Sequence, residues 1–434
     1  EFLMRTKMPY LLCKHIIMLT LLGCMAQSLQ AATLTVTNVS DSGSGSLRET
    51  LANADDGDTL VFARSLKDLT IVLPDSSQIS IDKNITLNGD VNGDKRPDIT
   101  ISGGGHSSRL FKIEKGVEVT LKSLNLIHGH ANEGGGILNN GTLTMEYCRM
   151  SNNYANWTGG AIQNWGKLTI SDGTFDNNAS GSGGAIFNVK LTRPDGGDAY
   201  IQQSTFKSNV AREGGGGAIS NFGKNLVISA STLAYNRADK EGSAVYARKG
   251  VTAIRSSTLY GNKSTSTGDL NHVGTVYGAC YTCQTTVELV NTVVAGSTGR
   301  NCGADKYITF IIDHSWFDDD SCENGDASGA PELGPLGNNG GYTETMMPSG
   351  HSGLIDAGNS QTCTVRDQRL APRVGTCDIG SVEGGSKAPV GPIPGDGDDT
   401  DAMSALVPAT LDLWRAAVRH RSDRYPATET IPTR

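Results

Sequence analysis

A chain of 434 residues that is 37% hydrophobic and 6% aromatic, with 54 glycines, carries too little apolar mass for one compact core and favours an elongated or repetitive fold. Its 37 Lys+Arg against 45 Asp+Glu give a net charge of -8. No basic stripe with interleaved aromatics occurs, which argues against nucleic acid as a partner.

The N-terminus reads as an export signal over residues 1–31. Arg5, Lys7 and Lys14 precede the apolar run IIMLTLLGCMA (16–26), and small or polar residues follow up to Ala31 and Ala32. Glu1, Phe2 and Leu3 stand before Met4 and read as lying outside the natural start. The run is too short for a permanent membrane anchor, so no transmembrane span is expected in the mature chain. Removing the signal leaves a net charge of about -10. Two cleavage sites compete. LLGC (21–24) resembles a lipoprotein box that would place a lipid on Cys24, whereas ordinary cleavage near Ala31 is preferred because Leu22 stands where a smaller residue is usual. The expected location is extracellular or on the outer surface.

Residues 32–78 read as an N-terminal cap: a strand, a Gly/Ser turn, a short amphipathic helix over SLRETLANA, a turn and a second strand. Repeats follow over 79–300. Anchored on the residue after the small pair, the cassettes GGGILNN, GGAIQN, GGAIFN, GGAISN and GSAVYA fall at Ile137, Ile162, Ile186, Ile219 and Val245, in steps of 25, 24, 33 and 26. The long step contains VKLTRPDGGDAYI (189–201), read as an inserted loop or hairpin. Each cassette continues into an alternating strand such as GTLTMEYCRM or GKLTISDGTF, with one buried face. Short strands and turns at this period predict a solenoid with strands stacked about 4.8 Å apart, an all-β parallel β-helix.

Two asparagine columns recur at fixed places, Asn139, Asn164, Asn188 and Asn221 in one, and Asn153, Asn178, Asn209, Asn236 and Asn262 in the other. In stacked coils they predict side-chain amide ladders, with asparagine itself tolerating the left-handed turn angles. The glycine pairs fit tight turning and close approach of coils. No phosphate-binding GxxxxGK[ST] occurs.

In an oxidising compartment Cys302/Cys322, Cys363/Cys377 and Cys280/Cys283 are expected as local disulfides, with Cys148 a buried thiol. CYTC lacks the second pair a zinc site needs. DVNGDKRPD offers Asp90, Asn92, Asp94 and Asp98 at the odd spacing of a calcium loop, but Ile101 occupies the place of the bidentate glutamate. A structural Ca2+ and a plain acidic turn both fit. DHSWFDDDSCENGD gathers Asp318, Asp319, Asp320, Glu323 and Asp326, a solvated acidic loop or a cation site.

Catalytic residues do not emerge from the pattern. Ser352 in GHSG has no nucleophile-elbow spacing. His128 and His130, the group Lys190, Arg193 and Asp195, and the group Glu213, Asp239 and Glu241 are the local concentrations from which lyase or hydrolase chemistry would have to be built. Trp157, Trp165, Tyr246 and Tyr260 are read as exposed contacts on a lateral face.

GGAI followed by FDNN or FKSN resembles the GGAI and FxxN repeats of bacterial polymorphic outer membrane proteins. SDSGSGSLRETLANADDGDTLVF is similar to the N-terminal segment of secreted β-helix proteins of the CSLREA type. LGPLGNNGGYTETMMPSGHSGLIDAGNSQTCTVRDQRLAPRVGTCDIGSVE (333–383) resembles a choice-of-anchor domain. The resemblance implies a right-handed parallel β-helix, cell-surface attachment, and a C-terminal region over 301–386 followed by a linker and disordered tail (387–434). A barrel or apolar sorting segment of the kind such families carry is not recognised in the tail, where Pro408, Asp412 and Arg415 interrupt the apolar run. The function expected is a binding or adhesion scaffold for a polysaccharide or cell-surface ligand. A polysaccharide lyase or glycoside hydrolase on the same scaffold is the alternative.

Overall fold

A computed structural model describes residues 31–105, 108–189, 197–265, 273–280, 284–322 and 327–389. Residues 1–30 with Cys24, the tail beyond 389, and Lys190, Arg193, Asp195, Cys283, Glu323 and Asp326 lie outside them. Within the described residues, four all-parallel sheets share the strands. The first has eleven, from Thr33–Val36 to Ile308–Asp313; the second has eleven, from Thr70–Val72 to Ala327–Ser328; the third has nine, from Ile79–Ile81 to Arg300–Ala304; the fourth has six, from His130–Glu133 to Lys263–Ser264. The chain visits them in turn, as in Thr142–Glu146, Arg149–Ser151, Tyr154–Thr158 and Ile162–Asn164, before starting the next coil. This is a parallel β-helix.

Alternation sets which side chains face inward. Leu143 and Met145 are fully buried between outward Thr142 and Thr144, and Leu143 stacks on Val119 below and Leu168 above. Each such leucine contributes about 1.5–3 kcal/mol by leaving water. The cassette anchors form one register column: Ile137 pairs with Ile162, then Ile186, Ile219 and Val245. The same column extends through Val276 to Cys302, where no glycine pair marks it. In the long step, Asp198–Gln202 is an ordinary first-sheet strand in register with Lys167–Ser171. Residues 198–201 therefore belong to the coil.

Both asparagine columns are amide ladders. Asn139 donates Nδ2 to Asn164 Oδ1 at 2.7 Å, Asn164 to Asn188 at 2.7 Å, and Asn188 to Asn221 at 2.8 Å. Asn153, Asn178, Asn209, Asn236 and Asn262 are linked in the same way at 2.9–3.0 Å. The backbone angles correct one expectation: the left-handed residue is the one before the second ladder, namely Asn152, Asn177, Ser208, Tyr235 and Gly261, with φ between 54° and 64°. The ladder asparagine itself is held by its neighbours' amides and has no need of that conformation. In the glycine pairs the two members divide the work. Gly159 turns the chain at φ 63°, and a Cβ on Gly160 would collide with backbone atoms of the next coil.

The two ends are closed differently. At the start, helix α1 (Leu47–Ala52) buries Leu47 and Leu51. Ser46 Oγ accepts from Glu49 N at 3.2 Å, and Glu49 Oε2 accepts from Gly45 N, the residue before the N-cap, at 2.7 Å, so the side chains of the first turn cap it. The flanking strands Thr33–Val36 and Thr59–Phe62 are the first two rungs of the first sheet. At the far end carboxylates replace the carbonyls of an absent coil. Asp318 accepts from Gly296 N at 2.6 Å and Asp319 from Asn301 N at 2.9 Å, and a disulfide joins Cys302 to Cys322. Of the acidic cluster 318–326, these two residues are thus structural caps.

Residues 331–389 fold back as a strap over the outward face of the second sheet. Thr205 Oγ1 donates to Glu344 O at 2.6 Å, Gln368 Nε2 donates to Thr205 Oγ1 at 2.8 Å, and Thr232 Oγ1 donates to Gln368 Oε1 at 2.6 Å. Ser381 N donates to Thr258 Oγ1 at 3.0 Å. Inside the strap, Arg369 pairs with Asp367 at 2.7 Å and Arg373 with Glu383 at 3.1 Å, all four side chains nearly inaccessible. Cys363 and Cys377 form a second disulfide. Cys280 is disulfide-bonded, while its expected partner Cys283 lies outside the described residues. Among these residues, no helix is long and apolar enough to cross a membrane.

Candidate functional site

The fourth sheet begins only at His130–Glu133. Among the described residues, earlier coils show no fourth-sheet strand between the second sheet and the third, so the solenoid gains a sheet in a step at that point. A cleft of about 370 Å³ lies at the step, lined among others by Ser76, Gln78, Arg109, His130, Asn132 and Asn156.

Arg109 forms its inner wall. Nε donates to Gly134 O at 3.0 Å, one terminal nitrogen to Gln78 Oε1 at 2.6 Å, and the other to Glu133 O at 2.8 Å. Burial lowers the pKa of the guanidinium, and the Glu133 carboxylate opposes that shift; so high an ordinary value leaves Arg109 charged. Gln78 is placed in turn by Arg48 of α1, which donates to the carbonyls of Gln78 at 3.2 Å and Ser77 at 2.8 Å. Across the cleft, Asn156 Nδ2 donates to Asn132 Oδ1 at 2.7 Å. His130 packs edge-on against Tyr154, with ring centroids 5.0 Å apart, and Arg212 lies over the Tyr154 ring at 5.4 Å. Trp157, next to Asn156, is 59% exposed.

The aromatic expectation holds for Trp157 alone. Trp165 is half-buried with its Nε1 shielded from solvent. Tyr246 stacks on Tyr277 at 5.9 Å, and Tyr260 meets Tyr235 edge-on at 6.5 Å. Coil stacking turns these rings toward one another, which removes the faces they would offer a ligand. His128 sits in a left-handed turn at φ 55° while His130 is in a strand, so the two do not share a strand face.

Asp239 pairs with Arg237 at 2.6 Å and accepts from Thr265 Oγ1 at 2.7 Å. Burial raises its pKa, but these hydrogen bonds outweigh that and hold the carboxyl below its ordinary value. Glu213 is exposed. Ser352 is buried and donates to Pro331 O at 2.6 Å, a bond within the strap, and its neighbour His351 is exposed.

At the acidic turn, Asp90, Asp94 and Asp98 bring carboxylate oxygens within 4.8 Å of one another. Asn92 is engaged inside the loop: its Nδ2 donates to Asp94 Oδ2 at 3.1 Å and its Oδ1 accepts from Asp94 N at 2.9 Å. Asp98 accepts from Val91 N at 2.9 Å and meets Lys67 Nζ at 3.1 Å; this bond, and a weaker one that Lys67 donates to Asp68, raise the lysine pKa. Ile101 points into the core. Three convergent carboxylates are a donor set that fits a hard cation.

The Chlamydia polymorphic membrane protein (Chlamydia_PMP) repeat matches residues 172–189, a stretch that holds the ladder residue Asn178 and the pair Gly183 and Gly184. The chain carries repeats of this kind on a parallel β-helix. Among solved structures, pectate lyase Pel9A overlaps with a TM-score of 0.45 at 14% identity, covering 81% of this chain and 97% of that one. The deglycosylated pectin methylesterase from Aspergillus niger overlaps at 0.34 and 12%, covering 70% and 91%. No curated protein matches the chain.

Proposed function

We propose that this chain is an exported, surface-exposed β-helix that binds carbohydrate through its lateral face and does not turn it over. The observation that carries the reading is the cleft at the step, where amides, a hydroxyl, an imidazole and a fixed guanidinium converge, with exposed Trp157 one residue along the chain from Asn156. Such a mixture suits hydroxyl-rich ligands. Among the described residues its lining contains no carboxylate pair of the kind hydrolysis across a glycosidic bond needs. The likeness of 172–189 to a polymorphic membrane protein repeat supports a surface location, and the disulfides support an oxidising one.

The alternative, a lyase or hydrolase on the same scaffold, is favoured by one observation: His130 shares the cleft with Arg109, a base near a cation. Incubating the folded protein with acidic and neutral polysaccharides separates the two readings. Saturable binding without new reducing ends or unsaturated product is expected; product that disappears in His130→Ala would establish the enzyme. A structural Ca2+ held by Asp90, Asp94 and Asp98 belongs to the same proposal. It would brace the turn whose Arg96 lies over Tyr342 of the strap at 5.8 Å.

A further inference from the structure

We infer that the cleft at the step is a subsite for a carboxylate-bearing sugar unit, with Arg109 as its counterion; this rests on the carbohydrate-binding reading above. A guanidinium has five N–H donors. Three are used, one on Nε and one on each terminal nitrogen, which leaves one N–H on each terminal nitrogen among the described contacts. Those two N–H groups are the charged donors a ligand carboxylate would take up. The framework is set in advance: Gln78 and the carbonyls of Glu133 and Gly134 hold the group in place, and Arg48 holds Gln78. Little side-chain entropy is then lost on binding.

Charge selects the ligand class. In a chain with more acids than bases, the cleft lining among the described residues includes no Asp or Glu, although Glu133 stands on the same strand as His130 and partly offsets the field of Arg109. A neutral sugar would use the amides of Asn132 and Asn156 but leave those two charged N–H groups without an anionic partner. A carboxylate supplies one. The amide pair and exposed Trp157 favour an acidic sugar over an acidic peptide, since flat faces and paired amides match ring hydroxyls and the apolar face of a pyranose.

The test is equilibrium binding by the folded chain of a uronic-acid oligosaccharide, its carboxyl-reduced counterpart and a glutamate-rich peptide, for the unaltered protein, Arg109→Gln and Asn132→Asp. The unaltered protein should bind the uronic-acid form at least roughly tenfold more tightly than the reduced form, as one charge-assisted pair warrants. Arg109→Gln should remove that preference. Asn132 is exposed, so Asn132→Asp tests the field without disturbing the fold and should weaken the uronic-acid form more than the reduced form. Equal binding of both sugars would overturn the carboxylate subsite and leave carbohydrate binding standing, as would a preference that neither variant changes. Peptide binding as tight as the uronic-acid form would overturn the sugar assignment. No binding of any sugar would end both readings.

Discussion

Asn178 donates its side-chain amide to Asn209 Oδ1 at 3.0 Å, one coil on, and both residues are wholly buried. Asn178 also donates to Met150 O at 3.0 Å, and its Oδ1 accepts the backbone and side-chain N–H of Asn153. Replacing Asn178 with leucine orphans several polar groups in the interior at about 1–3 kcal/mol each. The expected loss is roughly 3–5 kcal/mol by chemical denaturation. Asn156→Ala, in the exposed pair, should cost under about 0.5 kcal/mol. Equal effects at the two sites would contradict a structural ladder.

The strap is pinned by the buried Arg369–Asp367 pair. Removing one partner leaves an uncompensated charge, at about 3–5 kcal/mol. Asp367→Ala should therefore make residues 331–389 sensitive to protease while the coils stay folded. Reducing the Cys363–Cys377 disulfide should act in the same direction, because it releases a loop closure worth about 3 kcal/mol. Loss of all β-structure in Asp367→Ala would show instead that strap and solenoid unfold as one.

Burial pushes the Cys148 thiol up from 9.0 to about 12. The folded chain keeps a proton that the unfolded chain releases above pH 9, so stability falls as pH rises from about 9 towards 12, by about 1.4 kcal/mol per unit from this group. Below pH 9 the group adds no slope. Tyr277, raised by burial and by Asp305, carries the same sign. Cys148→Ala should remove one proton's worth of the alkaline slope, and the folded protein should resist thiol reagents. An unchanged slope in Cys148→Ala would contradict the assignment.

If the turn at 90–98 holds Ca2+, the cation stabilises the folded state by mass action, by about 2.7 kcal/mol at a hundred times Kd. Melting in Ca2+ should then lie above melting in EDTA for the unaltered protein and not for Asp94→Asn, an exposed substitution that leaves the turn's backbone intact. Coincident melting curves for the unaltered protein would sink the calcium site.

The repeat was legible because stacking copies a local rule down the chain. Ile137 and Ile162 sit in identical surroundings, so their equivalence shows as a period, and Asn164 recurs with them because each amide needs another amide above it. What stayed hidden depends on distance. Gln368 meets Thr205 across 163 positions, and nothing near Thr205 announces that contact. Arg109 gave no signal because its cleft lies where, among the described residues, the fourth sheet starts, a boundary that no local pattern marks. The aromatics misled for a related reason: alternation placed Tyr246 outward, but Tyr277 one coil on covers its face.

The most direct test of the account is a titration of folded protein with an acidic polysaccharide, following binding and new chain ends together. Saturable binding is expected, weakened in Trp157→Ala, with reducing ends and unsaturated-product absorbance both flat. Sustained product formation by the unaltered protein would contradict it and move the molecule from binding scaffold to enzyme.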